Sequence, residues 1–142
     1  MDDLKKAILG AASSAVEVYQ SSVDAELDYS KESLTAIEDI LNEASGFVDE
    51  MPEENFQSIV QLIGSYVLAV ADKQVDGRFL WSEEIGSPVF VAGEPNCSIA
   101  IAPFDKVAGR LKGDPADNIP FFYAGFSNSA MKAENGVNEL YV

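Results

Sequence analysis

Oxygen-bearing side chains recur between residues 72 and 83 at a spacing that could bind calcium. Asp72, Gln74, Asp76, Gly77 and Glu83 occupy positions 1, 3, 5, 6 and 12 of this twelve-residue stretch. An EF-hand loop carries its oxygen ligands at these positions, needs glycine at the sharp turn, and follows a helix. The pattern predicts a degenerate EF-hand-like calcium site with Asp72, Asp76 and Glu83 as its carboxylate ligands.

The same stretch departs from an EF-hand loop in ways that favour a simpler interpretation. Gln74 supplies a neutral oxygen at position 3, and Leu80 stands at position 9, where a polar residue usually coordinates through water. The residues after position 12 include glycine and proline, so they cannot form the second helix of an EF-hand. The alternative is a helix, a turn at the Asp76-Gly77 dipeptide, and a strand.

Residue types that support catalysis are sparse in this chain. It contains no histidine, which removes the commonest general base, Ser-His-Asp and Cys-His catalysis, and most zinc and iron sites. The single cysteine, Cys97, lies in an apolar, strand-like stretch and is predicted to be a core residue. The acid pairs Glu53-Glu54 and Glu83-Glu84 point apart on either a helix or a strand. We therefore expect a protein that is not an enzyme and needs no cofactor.

The net charge is the strongest global property of the sequence. The 142 residues include 24 Asp and Glu against 9 Lys and Arg, which gives a net charge of −15. Such a chain repels nucleic-acid phosphates and anionic membrane surfaces, so we expect neither as a partner. The same field would steer a basic protein toward it. The alternative is that the charge serves solubility alone.

The acids are concentrated in one part of the chain. Between Glu17 and Glu54, twelve acids accompany a single base, Lys31. An amphipathic helix is predicted in the middle of this region, with acids on the face opposite its apolar stripe. The candidate partner-binding residues on that face are Glu32, Asp39, Glu43 and Glu50.

Three helices are predicted in the N-terminal half. Apolar residues recur at intervals of three and four over about residues 2–22, after Ser30, and after Pro52. Ser30 can cap the second helix, with Tyr29 and Leu34 as a hydrophobic staple, and Pro52 suits the first turn of the third. The third segment is apolar around much of its circumference, so we predict that it is the central core helix.

Short strands are predicted after Gly77. Residues 78–81, 88–91 and 97–101 are separated by turns rich in glycine and proline, and a three-stranded antiparallel meander is their simplest arrangement. An apolar face of this meander would need helices to cover it. Residues 139–142 are predicted to be either a loose tail or an edge strand.

Two further helices are predicted after the meander, one from Pro103 to a stop at Gly113 and one over residues 119–131. The aromatic residues 121–126 of the second are predicted to pack in the core. The predicted fold class is α+β, with N-terminal helices packed on a short antiparallel three-stranded meander and two C-terminal helices after it. Residues 1–142 are expected to form a single acidic domain.

Three groups of residues carry a resemblance to known proteins. They are Ile63-Gly64-Ser65-Tyr66, Gly77-Arg78-Phe79-Leu80-Trp81, and Pro103-Phe104-Asp105-Lys106-Val107 with Arg110-Leu111. Over about residues 30–126, the pattern resembles small bacterial α+β domains of uncharacterised function, some of which are of the immunity-protein type. The resemblance implies an α+β fold and transfers no catalytic residue. Some acidic domains of this general kind act as immunity proteins beside secreted toxins.

The leading functional hypothesis is a non-catalytic acidic protein-binding module, in particular an immunity protein or inhibitor of a basic toxin. One alternative is calcium binding through residues 72–83, and another is a small ligand-binding or hydrolytic domain with an acidic pocket that the sequence does not reveal. Residues 7–16 are mildly apolar, but no positively charged segment precedes them, so we expect a cytoplasmic protein without a signal peptide. The sequence leaves the oligomeric state open.

Overall fold

Five α-helices and a four-stranded sheet form the fold over residues 3–142, the part of the chain that this computed structural model describes. The elements are α1 (Asp3–Tyr19), α2 (Leu34–Ser45), α3 (Glu53–Gln74), β1 (Gly77–Ser82), β2 (Ser87–Ala92), β3 (Ser98–Ile101), α4 (Phe104–Leu111), α5 (Ile119–Lys132) and β4 (Asn138–Tyr141). The predicted α+β class is confirmed. The predicted start of the first helix at residue 2 lies outside the described residues.

The sheet contains the predicted meander and one more strand. The strand order is β1-β2-β3-β4. Strand β2 pairs antiparallel with both β1 and β3, whereas β4 pairs parallel with β3. The prediction of three strands is therefore wrong, and the chain does not end on its two C-terminal helices. Parallel neighbours need a long crossover connection, and α4 and α5 provide it. Strand β4 starts one residue before the predicted segment 139–142 and ends at Tyr141, and it is the edge strand, one of the two predicted alternatives.

Helix α3 is the centre of the core, as predicted. All residues from Ile63 to Ala71 are buried, and α3 packs against α1, α4 and the sheet. One face of the sheet joins this core, because alternate strand residues such as Phe79, Phe90 and Ile101 point toward the helices. Free Cys97 is also buried there, which confirms its predicted core position.

The segment before α2 is fixed to α3 by one buried tyrosine. The hydroxyl of Tyr66 accepts a hydrogen bond from the N–H of Tyr29 at 2.9 Å and is hydrogen-bonded to the hydroxyl of Ser33 at 2.7 Å. The rings of Tyr29 and Tyr66 stack at 5.1 Å between centroids. Ser30 caps a 3-10 turn at Lys31–Ser33 that leads into α2. These contacts hold the start of α2 in place.

A glycine on α3 allows α4 to pack closely. Phe104, the first residue of α4, lies over Gly64, and a Cβ at this position would overlap the Phe104 ring. The two residues come from different groups of the resemblance pattern. Their shared role is therefore helix packing, which is a structural requirement of this fold.

A buried ion pair joins α2, α4 and α5. The Nε of Arg110 lies 2.5 Å from Oε2 of Glu38, and the side chains of both residues are mostly buried, with 8% and 14% of their surfaces exposed. A second guanidinium nitrogen of Arg110 donates to Oδ1 of Asn42 at 2.8 Å. The other carboxylate oxygen of Glu38 accepts from the N–H of Ile119 at 3.0 Å, at the start of α5. All three helices thus meet at Glu38.

Replacing Arg110 with methionine should lower the free energy of unfolding by about 3–5 kcal/mol, because it leaves the Glu38 carboxylate buried without its counter-charge. Urea denaturation monitored by circular dichroism measures this loss. The matched control is Arg78→Met, which removes an arginine from the exposed Arg78–Glu94 pair and should change stability little. Equal effects of the two substitutions would contradict the role given to Arg110.

Replacing Gly64 with alanine should lower the free energy of unfolding by about 1–3 kcal/mol, because the new methyl group forces the Phe104 ring to move. The control is Gly10→Ala in the interior of α1, where a Cβ meets no atom within 4 Å. That substitution should raise stability by about 1 kcal/mol through helix propensity alone. Denaturant midpoints of the two variants that shift in the same direction would contradict the close packing at Gly64.

Candidate functional site

A shallow groove of about 220 Å³ lies between the end of α1 and the outer face of α2. We call it the Phe47 groove. Its apolar lining comes from the end of α1, the following turn, and the C-terminal half of α2. The lining residues are Tyr19, Ser22, Val23, Asp39, Ile40, Glu43, Ala44 and Phe47. The groove thus lies within the acid-rich region that the sequence indicates.

Phe47 is the most conspicuous side chain of this groove. Helix α2 ends at Ser45, and the N–H of Phe47 donates to the carbonyl of Ala44 at 3.0 Å, so the residue continues the last turn. The residue is 60% exposed, although burying a phenylalanine contributes about 1.5–3 kcal/mol. Aromatic residues are enriched at protein interfaces, so an exposed aromatic residue beside an apolar groove is a candidate interaction surface.

Two acids stand at the border of the Phe47 groove. Asp39 and Glu43 lie one turn apart on α2, and both are exposed. The four ion pairs seen within residues 3–142 include neither of them. Like charges at this spacing repel each other on a helix, so a basic group placed between them would relieve the repulsion.

The wall of the groove also includes Tyr19, whose hydroxyl stays neutral. Burial raises the pKa of Tyr19 above its ordinary value, because the charged form loses solvation. The side chain therefore adds an apolar ring and a neutral hydroxyl to the groove at physiological pH. All the titratable charge of the lining is consequently negative, from Asp39 and Glu43.

The other two predicted partner-binding residues lie elsewhere. Glu32 belongs to the 3-10 turn before α2 and borders a separate depression beside α5, with Tyr123 in its lining. Glu50 lies in the turn Val48–Glu50 and is not part of the Phe47 groove. The structure thus brings Asp39 and Glu43 together at one site. Sequence reasoning missed Phe47, for which the available indication was a large aromatic residue just beyond the helix-ending Gly46.

The EF-hand-like geometry is not formed. Asp72 lies in the last turns of α3 and its carboxylate is 3.9 Å from the ammonium of Lys5, whereas the side-chain oxygen of Gln74 accepts from the Tyr123 hydroxyl. Strand β1 separates Asp76 from Glu83 by about 20 Å, given ~3.3 Å per residue. The helix runs to Gln74 and the strand begins at Gly77, so no loop exists to gather these oxygens. Within residues 3–142, no group of three acidic or cysteine side chains is arranged to hold a metal ion.

Other residues considered from the sequence have structural surroundings. Phe122, Tyr123 and Phe126 pack in the core as predicted, but Phe121 is exposed, which corrects its predicted core position. Helical geometry explains the difference, because adjacent residues point about 100° apart. A hydrolytic site needs two carboxylates that converge in a pocket. A groove of about 430 Å³ beside α3 and α4 has Asp105 as its one lining acid, whereas the Phe47 groove has two, Asp39 and Glu43, both exposed to solvent.

No family model, characterised protein or solved structure matches this sequence. Within residues 3–142, no helix combines the length and the apolar character needed to cross a membrane.

Calcium should not bind at residues 72–83, because Asp72, Asp76 and Glu83 do not converge on one point. Isothermal titration of millimolar calcium into the metal-free protein should give no saturable heat beyond dilution. The midpoint of thermal unfolding should likewise stay constant when calcium replaces an equal ionic strength of sodium. A saturable heat that disappears in Asp76→Asn would overturn this reading of the geometry.

Proposed function

We propose that this chain is a non-catalytic protein-binding module that binds a basic segment of another protein at the Phe47 groove. The observation that carries the proposal is the combination of an exposed Phe47 with two unpaired acids, Asp39 and Glu43, at one groove. Charge on its own would serve solubility equally well. An exposed aromatic side chain does not improve solubility, so its presence favours an interaction surface.

The two kinds of side chain would act at different stages of binding. The net charge of −15 speeds the encounter with a basic protein and makes its rate dependent on salt. Phe47 and the apolar wall of Tyr19, Val23 and Ile40 would then bury an apolar side chain of the partner. Burial of aromatic anchors contributes most of the binding energy in interfaces of this kind. The acids would pair with basic residues that flank that anchor.

The narrower form of the proposal is an immunity protein or inhibitor of a basic toxin. It is supported by the acidic charge and by the resemblance of residues 30–126 to small bacterial domains, some of the immunity-protein type. In this role, the acidic surface of α2 would cover a cationic active-site surface of the toxin. Glu32 and Glu50, which lie outside the Phe47 groove, would contribute to the long-range field.

The experiment begins with capture of a partner from lysate of the source cells, with the purified chain as bait at low and then high salt. The captured protein is identified, purified, and tested by surface plasmon resonance. Asp39→Lys with Glu43→Lys should slow association about tenfold and reduce its dependence on salt. Phe47→Ser should weaken affinity by about tenfold or more, mainly through faster dissociation.

The matched control for the charge reversal is Asp76→Lys with Glu134→Lys, which changes the net charge equally at exposed sites outside the groove. This control should retain most of the association rate, because local charge placement matters more than the total. A basic partner that binds all three variants and the unaltered chain alike would refute the Phe47 groove as the docking site. A captured partner that is acidic would refute the proposed charge complementarity.

A further inference from the structure

A second, larger groove lies between α3, α4 and the turn that joins β1 to β2. We call it the Trp81 groove. Its volume is about 430 Å³, within the range of sites that bind small molecules or single side chains of a partner. Three aromatic residues line it, Phe56, Trp81 and Phe104, together with one acid, Asp105, and one base, Lys112. None of these residues lines the Phe47 groove.

Trp81 is the only tryptophan of the chain, and its indole is accessible. The residue is 50% exposed, and its indole is absent from the ring pairs formed within residues 3–142. On β1 it pairs with Pro88 of β2 near the end of the hairpin. Phe79, two residues earlier on the same face, is covered by the helices, whereas Trp81 lies beyond that cover.

The groove already holds a cation against an aromatic ring. The ammonium of Lys112 lies 5.7 Å from the centre of the Phe56 ring, which is a cation–π contact. Asp105 is exposed in the same groove, and the ion pairs of the described chain include neither Asp105 nor Lys112. The lining therefore offers aromatic faces together with an unpaired carboxylate, a combination that attracts guanidinium and ammonium groups.

The charge of the molecule distinguishes between two kinds of ligand. Lys112 could attract an anion, but an anion would approach against a net charge of −15. A cation would approach with that field, stack on the indole of Trp81, and pair with Asp105. Arginine suits both contacts better than lysine, because its guanidinium is planar and binds a carboxylate through two parallel hydrogen bonds.

We propose that the Trp81 groove binds an arginine side chain of a partner protein, with Trp81 as the stacking surface and Asp105 as the charge partner. Lys112 then opposes binding, because its ammonium, on the face of Phe56, places a like charge in the same groove. The proposal uses residues separate from the Phe47 groove, so either site can fail without the other.

The single tryptophan makes the site directly measurable. Trp81 fluorescence is titrated with acetyl-Gly-Arg-Gly-amide, and with versions in which citrulline or glutamate replaces the arginine. The arginine peptide should change the emission in a saturable way at millimolar concentration, since a single cation–π contact is weak. The citrulline and glutamate peptides should bind at least fivefold more weakly. Titration with arginine amide alone shows whether the peptide backbone is needed, and calorimetry repeats each titration independently of fluorescence.

Two variants test the assigned roles in opposite directions. Asp105→Asn should weaken the arginine peptide about fivefold, as expected for one partly exposed ion pair. Lys112→Gln should strengthen it about two- to fivefold, because a like charge is removed from the groove. The control Lys132→Gln changes the net charge equally on α5, outside the groove, and should have a smaller effect. Phe47→Ser should leave peptide binding unchanged, which keeps this test independent of the proposed docking site.

Three results would overturn the proposal. The first is the absence of saturable binding of the arginine peptide by both fluorescence and calorimetry. The second is tighter binding of the glutamate peptide that is lost in Lys112→Gln, which would make the groove an anion site. The third is equal binding of arginine and citrulline peptides, which would mean that the positive charge of the guanidinium contributes nothing.

Discussion

The carboxylate of Glu38 accepts hydrogen bonds from two elements that are distant in sequence, the guanidinium of Arg110 on α4 and the N–H of Ile119 at the start of α5. Removing these polar groups from water costs several kcal/mol, and the arrangement is stable because each group has its partner. A carboxylate at the start of α5 also interacts favourably with the helix dipole. The positions of α4 and α5 relative to α2 therefore depend on this one acid.

The same network orients the exposed surfaces. Helix α2 turns Ile37, Leu41 and Glu38 inward, so Asp39 and Glu43 must point outward on a helix that cannot rotate. Helix α4 is held at one end by Phe104 on Gly64 and near the other by Arg110. Acids presented on rigid elements lose little conformational entropy on binding. Less of the binding free energy is therefore offset by the cost of ordering the interface. The network withdraws one base, Arg110, and one acid, Glu38, from the surface, so the net charge of the exposed groups stays the same.

Local signals in the sequence predicted most of the elements. Pro52 and Pro103 precede α3 and α4 as expected, Ser30 caps the turn before α2, and the three antiparallel strands lie where their apolar runs and turns indicate. The sequence does not decide between a tail and a strand at β4, because most of its residues are exposed and its partner, β3, precedes it by two helices. Its register depends on the crossover, which no local pattern encodes.

The candidate sites were harder to predict because they also depend on contacts between residues that are distant in the sequence. Residues 72–83 match the spacing of a calcium loop only in the sequence. In the structure they are divided between a helix and a strand, so their side-chain oxygens do not converge. Glu38 belongs to the acid-rich region but has a structural role, since its neighbour Arg110 comes from far along the chain. The sequence indicates that Asp39 and Glu43 share a helix face, because their helical spacing is local. Phe47 was missed because its importance depends on Tyr19 and Val23 from another element.

Charge and apolar contact have separate consequences for the specificity of such a protein. A net charge of −15 accelerates encounters with every basic protein nearby, and it discriminates little among them. Discrimination requires contacts that only the correct partner can satisfy. In the proposed function Phe47 would provide such a contact, because a partner without a complementary apolar side chain would leave it in water. Screening by salt weakens the charge-driven encounter and leaves the apolar contact nearly intact. A module that combines them can thus associate rapidly and still remain bound mainly to the partner whose shape fits the groove.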